Sequence, residues 1–208
     1  MNKIKVSMVY LILVFVSFFI LLFFTFLTSK SYYNSEKDFQ FVISPDGKSV
    51  EIVNYIGEKK EKNVIRIPPK INNMPVTRIG ENAFNGIGLA DILIPDNVLY
   101  IGNYAFSGNR SVYEMYIRQG GNIMLTPALA ASSNWLNKIN IPENVTFIGE
   151  GAFLYNMIVE IKIGENVTLG GETRAAVFSN NFDVFYNENG RKAGTYYYRN
   201  NIWTAEYK

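Results

Sequence analysis

Past an N-terminal apolar run, hydrophobic positions recur in one fixed order: a short alternating stretch closed by proline, then Ile-Gly, then Ala-Phe. In Asp91 to Ser111, Ile92 and Ile94 point to one face of a strand while Asp91 and Leu93 point to the other. Pro95 has no N–H to donate and ends that strand. Val98 and Ile101 turn inward across a second short segment, Gly102 sits at a bend that a side chain would obstruct, and Ala105 and Phe106 fill the interior. The hexapeptide recurs as IGENAF (79–84), IGNYAF (101–106) and IGEGAF (148–153). Repetition at such a period predicts a solenoid, because one unit cannot bury enough apolar surface alone and is stable only when stacked.

Two markers set the period. The repeat phenylalanines Phe84, Phe106, Phe153 and Phe178, with Leu129 placed in the gap, are spaced by 22, 23, 24 and 25 residues. The strand isoleucines Ile67, Ile94, Ile117, Ile141 and Ile163 step by 27, 23, 24 and 22. Both counts give about five repeats, of which the one around Met124 and Leu129 has lost the Ile-Gly pair and the aromatic. Ahead of them, Phe39 to Ile43 and Ser49 to Tyr55 alternate as strands around the turn residues Pro45-Asp46-Gly47, predicting an N-terminal hairpin cap. Tyr196 to Arg199 and Ile202 to Glu206 flank Asn200-Asn201 and predict a second hairpin. The rings at this end, Tyr196, Tyr198 and Trp203 among them, read as a cap over the last open coil. Their functional alternative is a stacking platform for sugar rings or a peptide.

The N-terminal run has its own physics. Val6 to Ser29 is uncharged and follows Lys3 and Lys5. It is longer than a signal-peptide core of ~7–15 residues and reaches the ~20 that cross a bilayer as a helix. It reads as a retained anchor through residues 6–29, with a cleaved signal peptide ending near Ser29-Lys30-Ser31 as the alternative. In either case the two lysines keep the N-terminus inside and send the remainder out. The expected organisation is therefore a signal anchor or signal peptide over 1–31, a hairpin cap and leading strand over 32–70, repeats over 71–186, and an aromatic cap over 187–208.

Composition narrows the chemistry. The 208 residues contain no histidine and no cysteine. That excludes Ser-His-Asp and Cys-His catalysis, the usual zinc sites and lipidation on cysteine, and no cofactor or metal is expected. Two of the 20 basic residues precede the apolar run, leaving 18 basic against 18 acidic residues. A balanced exported region gives no electrostatic case for nucleic acid. The remaining catalytic option is a carboxylate pair, Asp91 with Glu114, brought to glycosidase spacing by neighbouring strands ~4.8 Å apart. Nothing encloses that pair, and a solvated mixed-charge face explains it as well. The N-x-S/T triplets at Asn109, Asn144 and Asn166 fit repeat grammar without glycosylation. If the strands align as counted, Arg66, Leu93, Tyr116, Asn140 and Lys162 form an outward row, the candidate ligand-binding surface.

The sequences ILIPDNVLYIGNYAF, INIPENVTFIGEGAF and IRIPPKINNMPVTRIGENAF resemble the BspA-like, or treponemal-type, leucine-rich repeats of bacterial surface antigens. The resemblance covers about Phe39 to Tyr186. It implies a β-rich solenoid: a right-handed arc with a parallel sheet on one face and irregular coils on the other, here with β-hairpin caps behind an N-terminal transmembrane or signal helix. It also implies an extracytoplasmic protein, membrane-anchored or secreted, at the bacterial surface or in the periplasm. For some members it implies adhesion to host matrix proteins or other cells, so a protein or glycan ligand is expected and catalysis is not. Where the family often has cysteine after Phe-x-Gly, this chain has Asn109, Asn156 and, at the first copy, Ile87; asparagine can bond neighbouring turns there. The C-terminal NENGRKAGTYYYRNNIW resembles a single copy of the glycine- and aromatic-rich repeats that bind cell-wall polymers. A structural envelope role, docking through the aromatic end, is the main alternative function.

Overall fold

A computed structural model describes residues 14–16, 32–60, 63–108, 118–119, 122–123, 136–170 and 176–208. The chain divides into two units, Met1–Tyr32 and Tyr33–Lys208. Of the first, residues 14–16 are helical and exposed, and the rest of the expected anchor lies outside the described residues. Among the described residues no helix is long and apolar enough to cross a membrane.

The second unit opens with a 3-10 turn, Glu36–Asp38, and strands β1 (Phe39–Ile43), β2 (Val50–Tyr55), β3 (Asn63–Arg66), β4 (Lys70–Ile71) and β5 (Met74–Ile79). It continues with β6 (Leu89–Leu93), β7 (Tyr100–Ile101), β8 (Arg118–Gln119), β9 (Asn122–Ile123), β10 (Lys138–Asn140) and β11 (Phe147–Ile148). The last elements are β12 (Glu160–Ile163), β13 (Thr168–Leu169), helix α1 (Phe182–Glu188), β14 (Gly194–Arg199) and β15 (Ile202–Tyr207). One wall is a seven-stranded sheet in the order β1-β2-β5-β7-β11-β13, with β4 pairing β5 at the side. The other wall holds β3 paired with β6 and, beyond them, the four-stranded run β10-β12-β14-β15. The chain is thus a β-solenoid of about three turns, and its second wall is a hydrogen-bonded sheet where irregular coil was expected.

The interior explains the repeat spelling. Phe84, Phe106, Phe153 and Phe178 are buried in one column, with ring centroids 5.3, 5.2 and 5.0 Å apart and planes within 19°. Gly102 and Gly149 are required by close approach: a Cβ would lie 2.8 Å from Glu81 N and 2.6 Å from Asn103 N respectively, in the coil below. The fourth hexapeptide position is left-handed in every copy, at Asn82 (φ 58°), Tyr104 (φ 54°) and Gly151 (φ 65°). It therefore tolerates asparagine and glycine readily and tyrosine only with strain.

The count of five repeats is corrected by the same column. Phe106 stacks directly on Phe153, and β7 pairs directly with β11. Around the rest of the turn, Thr146 N–H donates to Leu99 O (2.9 Å), Gly108 N–H to Leu154 O (2.9 Å) and the Asn144 amide to Asp96 O (2.8 Å). No rung is left between these coils for Leu129, which lies outside the described residues, as do Met124 and Ile117. Spacing alone made the interval from Phe106 to Phe153 look like two periods; the contacts make it one.

Both ends of the column are closed. Phe39 and Tyr55 of the first hairpin pack on Phe84 at 6.3 and 6.1 Å. At the far end α1, which the sequence reading missed, buries Phe182 and Tyr186. Phe182 meets Phe178 edge-on at 5.0 Å, and Tyr196 and Trp203 close over it at 5.2 and 4.9 Å. The Asp183 carboxylate accepts N–H bonds from Val177 and Phe178, and its burial holds its pKa above the usual carboxylate range despite them.

Candidate functional site

The predicted outward row forms in part. Arg66 stands opposite Leu93 in the β3/β6 register, and Asn140 opposite Lys162 in β10/β12. Arg66 and Leu93 are half-buried, and Asn140 and Lys162 are exposed. Tyr116 lies outside the described residues, and β6 runs beside β10. The row also extends further than the sequence indicated, because β14 pairs antiparallel with β12 and brings the C-terminal hairpin into the same sheet. Lys162 is followed by Thr195 and then Glu206; in the neighbouring row Lys138, Glu160, Tyr197 and Thr204 stand in line. Lys138 and Glu160 form an ion pair at 2.9 Å. The result is a four-strand polar face with Asn140, Lys162, Thr195 and Glu206 along one line.

The aromatic end does not supply a platform. Tyr196 is fully buried, its hydroxyl donating to Lys192 O at 2.6 Å, and burial drives its pKa far above the phenol value. Trp203 is 6% exposed, and its indole N–H donates to Asn180 O at 2.9 Å. Tyr198 is half-buried and tilted against Trp203 at 5.1 Å. Even-numbered residues of β14 face the core, so these rings serve as the lid of the column and cannot stack a sugar. The residue outward between them is Tyr197, opposite Glu160.

A second outward line, on the seven-stranded wall, escaped the sequence reading. Glu51, Arg78, Tyr100 and Phe147 follow one another in register. Arg78 pairs with Glu51 at 3.0 Å, its guanidinium lies 3.7 Å from the Tyr100 ring centroid, and Tyr100 stacks on Phe147 at 4.7 Å and 9°. Its signal was present: these are the residues just before Ile-Gly in three repeats, with Glu51 before Ile52. The ring faces cover one another and only edges reach solvent, so this line is a packed seam and a poor carbohydrate surface.

The residues of the catalytic alternative are not brought together among the described residues. Asp91 is exposed opposite Val64, and Glu114 lies outside them. No cluster of carboxylates able to hold a metal occurs among the described residues. Asn156 acts as expected for the position where the family often has cysteine: its amide donates to Phe106 O of the preceding coil (2.8 Å) and to Phe153 O (3.0 Å). Asn109 lies outside the described residues.

Residues 51–184 match the family model described as "BspA type Leucine rich repeat region (6 copies)". The chain belongs to this leucine-rich repeat family, whose domains serve as protein-interaction modules. A crystal structure of the T. pallidum leucine-rich repeat protein is similar at a TM-score of 0.48 and 21% identity, over 66% of this chain and 53% of that one. The chain thus spans about half the length of that relative. No curated protein matches it.

Proposed function

We propose that this is an exported, membrane-tethered binding module without catalytic turnover, and that its ligand is a protein held on the polar sheet face. The observation that carries this reading is the line Asn140, Lys162, Thr195 and Glu206, displayed at strand spacing on four hydrogen-bonded strands. Such an array is rigid before binding, so little conformational entropy opposes association. A protein is favoured over a glycan because the rings able to stack a sugar, Tyr196 and Trp203, face inward. The same burial weakens the alternative of an envelope component docking through those rings. Tethering is supported by the length of the apolar run 6–29 and the two lysines ahead of it.

The test is binding of the full chain in detergent to immobilised matrix proteins and to a glycan panel. A protein ligand whose affinity falls tenfold or more, about 1.4 kcal/mol, in Asn140→Ala/Lys162→Ala, and is unmoved by Thr77→Ala on the opposite wall, meets the expectation. Equal affinities of the wild type and both variants would refute the face. Protease shaving of intact cells and N-terminal sequencing test the location: protection from protease favours the envelope reading, and a mature start near Tyr32 rules out the tether. Turnover of glycosides that is abolished by Asp91→Asn would overturn the non-catalytic reading.

A further inference from the structure

The four-stranded sheet ends at β15, which is paired on one side only among the described residues. Asn200 and Asn201, both left-handed, make a two-residue hairpin turn that sets Arg199 and Ile202 as the closing pair. Bonded pairs then alternate, at Tyr197 with Thr204, Thr195 with Glu206 and Ala193 with Lys208; Lys208 N–H indeed donates to Ala193 O. The backbone groups of Trp203, Ala205 and Tyr207 therefore point away from β14.

Exposed edges of this kind are normally blunted by proline, bulges or inward charges. The first wall follows that rule: its edge strand β1 carries a register shift between Gln40 and Phe41. β15 has none of these devices. Its register is unbroken, it contains no proline or glycine, and Ile202 and Tyr207 are 64% and 45% exposed.

We propose that β15 is a docking edge whose occupant is β15 of a second copy, paired antiparallel about a two-fold axis at Ala205. The strand's own spelling selects that occupant and that register. Centred on Ala205, all seven residues from Ile202 to Lys208 pair, with Ile202 opposite Lys208, Trp203 opposite Tyr207 and Thr204 opposite Glu206. No like charges face each other. Shifting the centre to 206 sets Glu206 against Glu206; shifting it to 204 shortens the overlap, because Asn200 and Asn201 are in the turn. The absence of a like-charge pair favours the first arrangement over the second, and the longer overlap favours it over the third. The two four-stranded runs become one sheet of eight, and the polar faces of both copies lie on one continuous surface, which gives two-point attachment to a repetitive partner. This inference does not depend on which ligand that face binds.

The chain has no cysteine, so single thiols report the register directly. Thr204 and Glu206 of opposite copies form a non-hydrogen-bonded pair with Cα atoms ~4.5 Å apart, within disulfide reach. Full-length Thr204→Cys and Glu206→Cys, purified in detergent and oxidised, are each expected to stay largely uncrosslinked alone and to give a disulfide-linked dimer when mixed. Adding Ala205→Pro to both, which removes an outward N–H but no bond to β14, is expected to abolish the crosslink while leaving circular dichroism unchanged. No excess of dimer in the mixture overturns the proposal. So does efficient crosslinking of either variant alone, which would mark a different register, or a crosslink that survives the proline.

Discussion

Removing residues 109–135 and joining Gly108 to Leu136 through a short linker should leave the stack folded and slightly more stable. Gly108 N–H bonds Leu154 O, and Met157 N–H bonds Leu136 O, so the two ends sit beside residues three apart in one strand of chain. The gap is then at most about 20 Å, taking ~3.5 Å per residue and ~4.8 Å per interstrand step. A Gly/Ser linker of about five residues spans it. Replacing a closure of 27 residues by one of five returns (3/2)RT ln(27/5), about 1.5 kcal/mol. At a typical urea m-value of ~2 kcal/mol/M the midpoint should rise by about 0.5–1 M. Trp203 is the remaining tryptophan after the deletion, so its fluorescence follows the transition, with Trp135→Phe as the full-length reference. If the segment instead supplied a coil to the stack, its loss would remove about five buried apolar side chains, on the order of 10 kcal/mol, and the domain would not fold. Loss of the cooperative transition, or a drop in midpoint, refutes the direct stacking of the two coils.

Three further outcomes follow from the interior. Phe106→Ala, which empties a site stacked on both sides, should cost about 5 kcal/mol, and Phe106→Leu about 1–3, by urea titration; equal costs would mean that the ring stacking contributes nothing. Asn156→Ala removes the amide that donates to the Phe106, Phe153 and Leu154 carbonyls and should cost about 2–3 kcal/mol in the same assay; a neutral result would show that these bonds contribute nothing to the stack. Because burial raises the pKa of Asp183, the folded state holds its proton more tightly than the unfolded state does. Its stabilising contribution is complete below the ordinary value of 3.8 and is lost as pH rises through the folded value. Relative to wild type, Asp183→Asn should therefore gain stability as pH rises across that window, and a pH-independent difference would refute the assignment.

Much of this was legible because the repeat repeats its errors sparingly. The alternation leading to Ile67, Ile94, Ile141 and Ile163 placed four strands, and the pairs Arg66 with Leu93 and Asn140 with Lys162 came from the same register. Asn200-Asn201 announced its hairpin by turn chemistry alone. The skipped period was illegible to counting, since a skipped period and a worn one have the same length; the missing Ile-Gly pair and aromatic were the better signal. Helix α1 was hidden by its brevity, with Phe182, Phe185 and Tyr186 at helical spacing read only as an aromatic cap. The extension of the polar face to Thr195 and Glu206 depended on a pairing between β12 and β14 that no local pattern encodes.

The switch from parallel to antiparallel pairing at β14 also fixes how such an array can evolve. A parallel ladder offers each new coil the same template, whereas a reversed strand presents hydrogen-bonding groups in the wrong sequence for another coil of this type. Growth by duplication is thereby blocked at that margin, and added units must be spliced between existing ones. Phe106 already meets Phe153 although residues 109–135 intervene in the sequence, so the stack tolerates such a splice.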